Sequence, residues 1–267
     1  MESPPIETAV ITGASTGIGR ALACELARAG VRVGLVARNE ERLRAVEEEI
    51  RAAGGTAAVA PADVADREAL FSAVAALRET LGPIDLAIAN AGIGQTPGPG
   101  EADLDTTERL YRVNVFGALA LFAAVRPEME ARGRGHLVGI ASIAGYQAFP
   151  GKGAYSGTKA ALRMQLEALR AELAPRGIAV TTVNPGFIRT PLTDRNEFDM
   201  PFLMEPGPAA RRIVRAIRRR RAVYDFPFRM AMVSRLLRLL PRRLYDRIAR
   251  RGMGGRERTQ ALSGEER

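Results

Sequence analysis

Short apolar runs alternate with segments of helical periodicity through the first two-thirds of the chain. The apolar runs predict six buried strands, at residues 8–11, 31–37, 56–60, 84–89, 136–141 and 178–183. Apolar positions three or four residues apart predict helices at residues 20–30, 40–53, 67–81, 104–130 and 155–174, with an interruption near Pro127. Strands that alternate with helices pair in parallel through right-handed crossovers, so the predicted fold is α/β with a doubly wound parallel sheet. Such sheets bind ligands beyond the carboxyl ends of their strands.

A glycine-rich turn follows the first predicted strand. It reads Thr12-Gly13-x-x-x-Gly17-x-Gly19 and leads directly into the first predicted helix. Glycine lets the backbone turn tightly and approach an anion, and the free N–H groups and dipole of a helix start favour negative charge. The spacing differs from the common G-x-G-x-x-G fingerprint. The turn is therefore a candidate phosphate site whose weight depends on the motifs that follow it.

A phenol and an ammonium group stand four residues apart in the last of these helices. Tyr155 and Lys159 would share one helix face, where a nearby positive charge favours the phenolate and makes the pair a candidate acid and base. The alternative is a solvated surface pair. Ser142, just past the fifth strand, could orient a substrate oxygen or cap a turn. Asn114 lies in an apolar helix, so its amide must bond the backbone or hold a water.

These motifs occur in one order on one predicted sheet. The order is the glycine turn, Asn90-Ala91-Gly92, Asn114, Ser142, Tyr155-x-x-x-Lys159 and Pro185-Gly186. Together they resemble the short-chain dehydrogenase/reductase family, in its shorter, single-domain subgroup. The resemblance covers roughly residues 6–195, and no catalytic position departs from it. It implies a Rossmann-type fold and an NAD(P)-dependent enzyme that interconverts a CH–OH and a C=O group.

The resemblance also implies roles for four catalytic residues. Tyr155 would transfer a proton to or from the substrate oxygen, and Lys159 would lower its pKa and bind the nicotinamide ribose. Ser142 would orient the carbonyl or alcohol, and Asn114 would hold a water of a proton relay that reaches Lys159. Hydride would pass between the nicotinamide and the substrate carbon.

The cofactor contacts are likewise carried over from the resemblance. Asp63 and Val64 would meet the adenine, Asn90 the adjacent ribose, and Thr190 the carboxamide. The full predicted set is Gly13, Ser15, Thr16, Gly17, Ile18, Gly19, Arg38, Asp63, Val64, Asn90, Ala91, Gly92, Tyr155, Lys159, Pro185, Gly186, Ile188 and Thr190.

The end of the second strand predicts which cofactor is preferred. NAD-binding domains of this fold place a carboxylate there, which accepts a hydrogen bond from the ribose 2′-OH. This chain has Arg38 at that place and no carboxylate before Glu40. Arg38 can bind a 2′-phosphate with charge-assisted hydrogen bonds, so NADP(H) is predicted over NAD(H); the alternative is a solvated surface arginine.

The segment after Thr190 is rich in apolar residues and would close over the substrate. Its candidates are Leu192, Phe198, Met200, Phe202, Leu203 and Met204, with Tyr146, Phe149 and Phe187 as additional wall residues. They suit a lipophilic ketone or secondary alcohol, or they pack as loop core. No arginine clamp for an anionic substrate is evident.

The resemblance implies a homo-oligomer paired through the helices of Asn114 and Tyr155.

Two other functions stay open beside the oxidoreductase. One is a nucleotide sensor or scaffold that binds NADP without turnover, which intact Asn114, Ser142, Tyr155 and Lys159 argue against. The other is an epimerase or dehydratase of the same fold, which the single-domain length disfavours. One cysteine, Cys24, and one histidine, His136, exclude a disulfide framework and make a metal site unexpected.

Charge divides the chain unevenly. The net charge is +9, yet residues 211–251 contain fifteen arginines against two aspartates and residues 1–210 are net negative. We therefore predict a catalytic domain at 1–210 and a basic helical extension at 211–267. No signal peptide or membrane-spanning run is visible, so a cytoplasmic protein is expected.

The basic extension carries an apolar stripe. Its members are Val233, Leu237, Leu240, Leu244 and Ile248, with arginines on the opposite face and Pro241 set to kink the helix or start a new one. The stripe could pack on the domain or on a second subunit. Alternatively, it could lie in an anionic membrane surface at the inner face of the membrane. Nucleic-acid binding is disfavoured, because a phosphate-binding tail has no need of such a stripe.

Overall fold

The computed structural model describes residues 5–94, 103–148, 151–194 and 200–249. Its sheet is built from seven strands, namely β1 (Thr8–Thr12), β2 (Arg32–Ala37), β3 (Ala57–Pro61), β4 (Leu86–Ala89), β5 (Gly135–Ile140), β6 (Ile178–Pro185) and β7 (Val223–Phe226). All neighbouring strands pair in parallel, in the order β3-β2-β1-β4-β5-β6-β7. The strand order reverses beside β1 and β4, which places a ligand crevice at their carboxyl ends. The predicted doubly wound sheet is confirmed.

Helices cover both faces of the sheet. They are α1 (Gly17–Arg28), α2 (Glu40–Ala52), α3 (Arg67–Leu81), α4 (Leu104–Tyr111), α5 (Gly117–Ala131), α6 (Gly153–Leu173), α7 (Pro206–Arg218) and α8 (Phe228–Leu239). Apolar residues of α1, α2 and α7 form one buried cluster against the sheet, and those of α3, α5 and α6 form the other. The helices therefore bury one stripe each, as the sequence periodicity predicts.

The long helix predicted at 104–130 differs from the expectation in its interruption. A wide π-helical turn over Arg112–Phe116 separates α4 from α5, whereas Pro127 lies inside α5. The interruption expected near Pro127 is therefore wrong. The wide turn surrounds Asn114, whose buried amide bonds two other segments, and single π-turns of this kind recur at functional sites.

The segment after residue 205 begins as part of the sheet domain. Helix α7 buries Ile213, Val214 and Ile217 while its arginines face outward, and β7 pairs with β6. The boundary expected at residue 210 therefore falls inside α7. The assignment of this segment from sequence rests on its many arginines. The apolar residues between those arginines nevertheless have the spacing of an ordinary core helix.

The remainder of the described chain leaves the sheet. Helix α8 ends at Leu239, and Leu240 is extended before Pro241. Residues 242–249 are helical again, so Pro241 separates two helices, as one of the two expected outcomes has it. Within the described ranges, no helix combines the length and apolarity that crossing a membrane requires.

Candidate active site

The three glycines of the turn between β1 and α1 stand where there is no room for side chains. Gly13 and Gly17 have φ of +67° and +54°, and a Cβ on Gly19 would lie 2.1 Å from the Gly13 carbonyl oxygen. Helix α1 also begins without a side-chain cap at Thr16. Helices α2, α3 and α4 each begin with a capping side chain, whereas α6, α7 and α8, like α1, begin without one. The first N–H groups of α1 thus face the cradle without such a cap, as a phosphate site requires.

Asn90 holds this turn against the next strand. Its amide nitrogen donates to the carbonyl oxygens of Thr12 and Gly13, at 3.1 and 3.2 Å. The backbone N–H groups of Asn90 and Ala91 both donate to the Thr12 hydroxyl at 3.2 Å. These bonds join the carboxyl ends of β1 and β4, so the Asn90 amide nitrogen clamps the turn, a role that the resemblance did not supply.

The carboxyl ends of β2 and β3 carry the predicted adenine-side residues. The exposed Arg38 guanidinium lies 3.8 Å from the Asp63 carboxylate. Val64 is buried, and Gly117 leaves it space, since a Cβ there would lie 2.8 Å from Cγ2 of Val64. Glu40, the first carboxylate after β2, pairs with Arg44 on its own helix at 3.0 Å. Arg38 is therefore the charged side chain offered at the end of β2.

Tyr155, Ser142 and Lys159 meet where β5 ends beside α6. The Ser142 hydroxyl lies beside the Tyr155 phenol and opposes the rise of its pKa, and the Ser142 oxygen accepts from the N–H of Ala144 at 3.1 Å. Ser142 therefore caps a turn and also lies next to the phenol. The buried Lys159 ammonium donates to the Ile140 carbonyl at 3.0 Å and lies 5.8 Å from the centre of the Tyr155 ring.

Burial shifts both proton-carrying groups of α6. It raises the pKa of the Tyr155 phenol, and the hydrogen bond with Ser142 opposes that rise. It lowers the pKa of Lys159 to about 8. The expected lowering of the Tyr155 pKa by Lys159 is therefore not seen in the chain alone. The Lys159 ammonium is bonded to the Ile140 carbonyl instead of the phenol.

Asn114 ties the segment after β4 to α6. Its side-chain oxygen accepts from the N–H of Ile93 at 2.8 Å, and its amide nitrogen donates to the Ile93 carbonyl at 3.0 Å and the Thr158 hydroxyl at 3.1 Å. A Cβ on Gly92 would lie 3.3 Å from the Asn114 oxygen and 3.4 Å from the Lys159 nitrogen. Glycine at this position therefore keeps open a space that both polar groups border.

Three of the four candidate catalytic residues and part of the candidate cofactor residues border one cleft. It is lined by Ile18, Asn90, Gly92, Ile93, Ile140, Ala141, Ser142, Tyr155, Lys159, Pro185, Gly186, Ile188, Thr190, Leu192 and Thr193. Thr190 and Thr193 bond each other, and the Thr193 hydroxyl donates to the Ile188 carbonyl at 2.7 Å, which fixes the far wall. The predicted residues that do not line this cleft are Gly13, Ser15, Thr16, Gly17, Gly19, Arg38, Asp63, Val64, Ala91 and Asn114. Within the described segments, no group of three or more His, Cys, Asp or Glu side chains could hold a metal ion.

The predicted substrate wall is only partly present in the described residues. Leu192 lines the cleft, Phe202 is exposed, and Met204 packs against the core beside Ile188. The Tyr146 hydroxyl donates to the Asp225 carboxylate. Phe149 and Phe198 lie outside the described residues.

A buried carboxylate at the C-terminal edge was missed by sequence reasoning. Asp225 of β7 accepts from the Tyr146 hydroxyl at 2.8 Å, the Asn184 amide at 2.7 Å and the Arg235 guanidinium at 2.5 Å. Tyr146 follows the turn that begins at Ser142, and Asn184 directly precedes Pro185. The network therefore joins α8 to both segments that flank the cleft. Local sequence carries no signal for it, because Tyr146 and Asp225 are separated by 79 positions.

Comparison with known proteins decides the family. A family model described as short chain dehydrogenase matches residues 7–200. The chain belongs to the short-chain dehydrogenase/reductase family. An uncharacterized oxidoreductase of Myxococcus xanthus is 41% identical over 244 residues, which cover 91% of this chain and 96% of that protein. The chain is accordingly an NAD(P)-dependent dehydrogenase/reductase.

Solved structures of the family have the same fold. A short-chain dehydrogenase from Sphingobium yanoikuyae in complex with NADPH aligns with a TM-score of 0.77 and 33% identity, over 84% of this chain and 89% of that one. The L-sorbose reductase of Gluconobacter frateurii, complexed with NADPH and L-sorbose, aligns with a TM-score of 0.74 and 29% identity, over 84% and 95% of the two chains. In both cases the similarity extends over most of this chain.

Proposed function

We propose that this short-chain dehydrogenase/reductase uses NADP(H) to interconvert a secondary alcohol and a ketone or aldehyde on a lipophilic small molecule. The observation that carries the proposal is the meeting of Tyr155, Ser142 and Lys159 at one cleft. The same cleft includes Ile18 of α1 and Asn90, which clamps the glycine turn. Proton-transfer groups and a phosphate cradle thus share one opening, as a nicotinamide-dependent oxidoreductase needs.

The residues present fit a dinucleotide. The crowded glycines and the start of α1 would hold the pyrophosphate, and Lys159 and Thr190 would face the nicotinamide end. A bound nicotinamide would supply or accept the hydride. The chain would bind it with its reactive carbon toward the Tyr155 phenol.

Proton transfer falls to Tyr155. In the direction of reduction, its phenol would donate a proton to the substrate oxygen while the Ser142 hydroxyl donates a hydrogen bond to the same atom. The resulting phenolate would be stabilised by the Lys159 ammonium nearby. The space beside Gly92, bordered by Asn114 and Lys159, would admit the proton that restores the phenol.

The test is turnover of a panel of lipophilic ketones, followed by the loss of NADPH absorbance. Tyr155→Phe removes the phenolic oxygen and little else, so kcat is expected to fall about 10²- to 10⁴-fold while NADPH still binds. Full turnover by the Tyr155→Phe variant would refute the assignment of Tyr155. Binding without turnover of any carbonyl or alcohol by the unaltered protein would favour the sensor or scaffold.

Preference for NADP(H) rests on Arg38. It is exposed at the end of β2, and Glu40 is paired along α2 with Arg44. NADPH in the two related structures supports the same choice. Arg38→Asp should lower kcat/KM for NADPH at least tenfold relative to NADH, because a carboxylate repels a 2′-phosphate. Arg67→Asp, at an exposed site on α3, is the matched control and should leave the ratio unchanged. Equal or higher kcat/KM with NADH in the unaltered protein would contradict the proposal.

Apolar substrate, assembly and location complete the proposal. Leu192 in the cleft supports a lipophilic substrate, to be ranked by kcat/KM across the ketone panel.

Exposed Phe116 and Met164, on the helical segments that carry Asn114 and Tyr155, support a homo-oligomer. Light scattering of the unaltered protein and of Met164→Ser would test the assembly. We place the enzyme in the cytoplasm. An epimerase or dehydratase is the alternative, and it would regenerate its cofactor and show no net NADPH consumption.

A further inference from the structure

Helix α8 turns its bulky apolar side to solvent. Phe228, Met232, Leu236 and Leu239 follow one another at spacings of four, four and three, which places them on one face. Phe228 is 70% exposed and Leu239 is 79% exposed. The buried residues of the same helix are small, namely Ala231 and Ser234. We call the four large residues the outer face of α8.

The inner contacts of α8 hold the outer face in this orientation. Arg235 reaches inward to Asp225 at 2.5 Å and to the Tyr146 hydroxyl at 3.0 Å. Met230 packs so closely on Gly186 that a Cβ there would lie 2.9 Å from its sulfur. The helix is therefore tied to the domain by one side, and a rotation that buries the outer face would break these bonds.

The helical segment 242–249 adds to this surface. Its Leu244 and Ile248 are exposed, and the Tyr245 hydroxyl donates to the Ala148 carbonyl, which fastens the segment to the domain. The stripe expected from sequence is thus divided at Pro241, and Val233, one of its members, is exposed. Isolated exposed apolar residues are ordinary, but a run of this length marks an interaction surface.

Positive charge surrounds the apolar residues. Between residues 227 and 249, six arginines face a single aspartate, Asp246. Arg235 is paired with Asp225. The other five, all exposed, make no ion pair within the part of the chain that the structure describes; they are Arg229, Arg238, Arg242, Arg243 and Arg247.

We propose that α8 and residues 242–249 dock on an anionic lipid bilayer. The outer face would enter the headgroup region and the free arginines would meet lipid phosphates, as interfacial amphipathic helices do. A second copy of the chain would bring the same unpaired positive charge against this one, which costs energy at a two-fold interface. A nucleic acid would satisfy the arginines but leave the outer face exposed to water. The bilayer matches both features.

Docking there would place the cleft beside the membrane. Gly186 lines the cleft, and Met230 of α8 packs on it. If the proposed function holds, a lipophilic ketone dissolved in the bilayer would reach the active site without crossing water. Vesicle binding is measured without turnover, so a failure of the docking surface is distinguishable from a failure of the proposed function.

Co-sedimentation of the full chain with vesicles tests the proposal. Vesicles of phosphatidylcholine with phosphatidylglycerol should bind it, and vesicles of phosphatidylcholine alone should bind it far more weakly. High salt should release it, since screening shortens the reach of surface charge. Leu239→Ser should weaken binding about tenfold. Leu104→Ser, at an equally exposed leucine (76%) on α4, is the matched control and should bind as the unaltered protein does.

The charges are tested separately. Arg242→Gln with Arg243→Gln should weaken binding to anionic vesicles by about fivefold for each arginine, and the exposed Arg67→Gln should not. Circular dichroism and NADPH binding show that each variant is folded. Equal binding to neutral and anionic vesicles, or no binding to either, would overturn the proposal. So would concentration-dependent self-association that Leu239→Ser abolishes, or tighter binding to duplex DNA than to anionic vesicles.

Discussion

Two buried charged side chains near the cleft, Lys159 and Asp225, have opposite surroundings. Lys159 of α6 has a carbonyl oxygen as its hydrogen-bond partner, that of Ile140, and no carboxylate pairs with it among the described residues. Asp225 of β7, whose side chain is 9% exposed, is surrounded by three donors, one of them the Arg235 guanidinium. Burial accordingly lowers the pKa of Lys159 to about 8. The lysine has no oppositely charged partner among the described residues, whereas the aspartate accepts hydrogen bonds from three side chains of the fold.

The difference separates residues kept for chemistry from residues kept for structure. An unpaired buried cation costs stability, so a fold keeps one only where a ligand or a reacting group will use its charge. A carboxylate that already accepts three hydrogen bonds from the fold has little capacity left for a ligand, but it can fix the segments that donate to it. Removing Lys159 should therefore harm function and help stability, whereas removing Asp225 should chiefly lower stability and affect function only through the segments that it holds.

The largest effect is expected from Lys159→Met. Without the ammonium, the Tyr155 phenolate loses its stabilising charge, and kcat/KM should fall at least 10²-fold. At pH 7 the free energy of unfolding should rise on the order of 2–3 kcal/mol, because the variant has no charge to desolvate. Steady-state kinetics and urea unfolding measure the two quantities on the same preparation. A variant that is both inactive and less stable than the unaltered protein would break the comparison.

Much of the catalytic side could be predicted from sequence because its signals are local. The glycine turn, the Tyr155 and Lys159 pair and Ser142 each need only neighbouring residues to be recognised, and alternating periodicity fixes the strands that carry them. The structure brings Ser142, Tyr155 and Lys159 to one cleft, and Asn114 lies behind it. The finer geometry was out of reach. Lys159 donates to the Ile140 carbonyl, and Asn114 is hydrogen-bonded to the Ile93 backbone. These partners are ordinary main-chain groups, which have no sequence signature.

The C-terminal edge could not be predicted because its order depends on distant partners. Strand β7 has four residues, follows a run of arginines, and owes its register to β6, about 40 positions earlier. Asp225 reads as one acidic residue in a basic segment until Tyr146 and Asn184 are placed beside it. Alternating periodicity in such a short strand is too weak to stand out from the surrounding charge.

The pH dependence of stability gives the second test of the Lys159 side. The folded pKa of about 8 lies below the ordinary value of 10.5, so between these values the unfolded chain holds a proton that the folded chain has lost. The cost of burying the ammonium is therefore complete below pH 8 and is relieved as the pH rises toward 10.5. The stability advantage of Lys159→Met should shrink by about 1.4 kcal/mol per pH unit across that window. Urea unfolding of both proteins at several pH values measures it, and parallel curves would contradict the lowered pKa.

On the structural side, Asp225→Asn should lower the free energy of unfolding by about 2–3 kcal/mol, since charge-assisted bonds are lost in a buried place. The neutral amide would also offer one acceptor oxygen in place of two, so it could no longer accept from all three donors in their present positions. The KM for the substrate should rise, because the Ser142 segment loses its tie to β7, while NADPH binding changes little. Asp246→Asn, at an exposed carboxylate on residues 242–249, is the control and should alter neither quantity. A loss of kcat at unchanged stability would place Asp225 on the chemical side of the comparison.

The smallest effect is expected from Arg235→Gln, which removes one of the three donors to Asp225. The Arg235 side chain is half exposed, and the tyrosine and asparagine bonds to the carboxylate survive its loss. The free energy of unfolding should fall by about 1 kcal/mol, and kcat/KM should fall severalfold through KM, because α8 then holds the Tyr146 segment less firmly. Arg238→Gln, three residues along the same helix and without an ion pair in the described chain, should change neither quantity. Arg235→Lys restores the charge but not the planar geometry, so partial recovery of KM would show that Arg235 positions this segment through its charge. Equal effects of Arg235→Gln and Arg238→Gln would show instead that α8 tolerates the loss of either arginine, and that Asp225 is held by β7 and its neighbours alone.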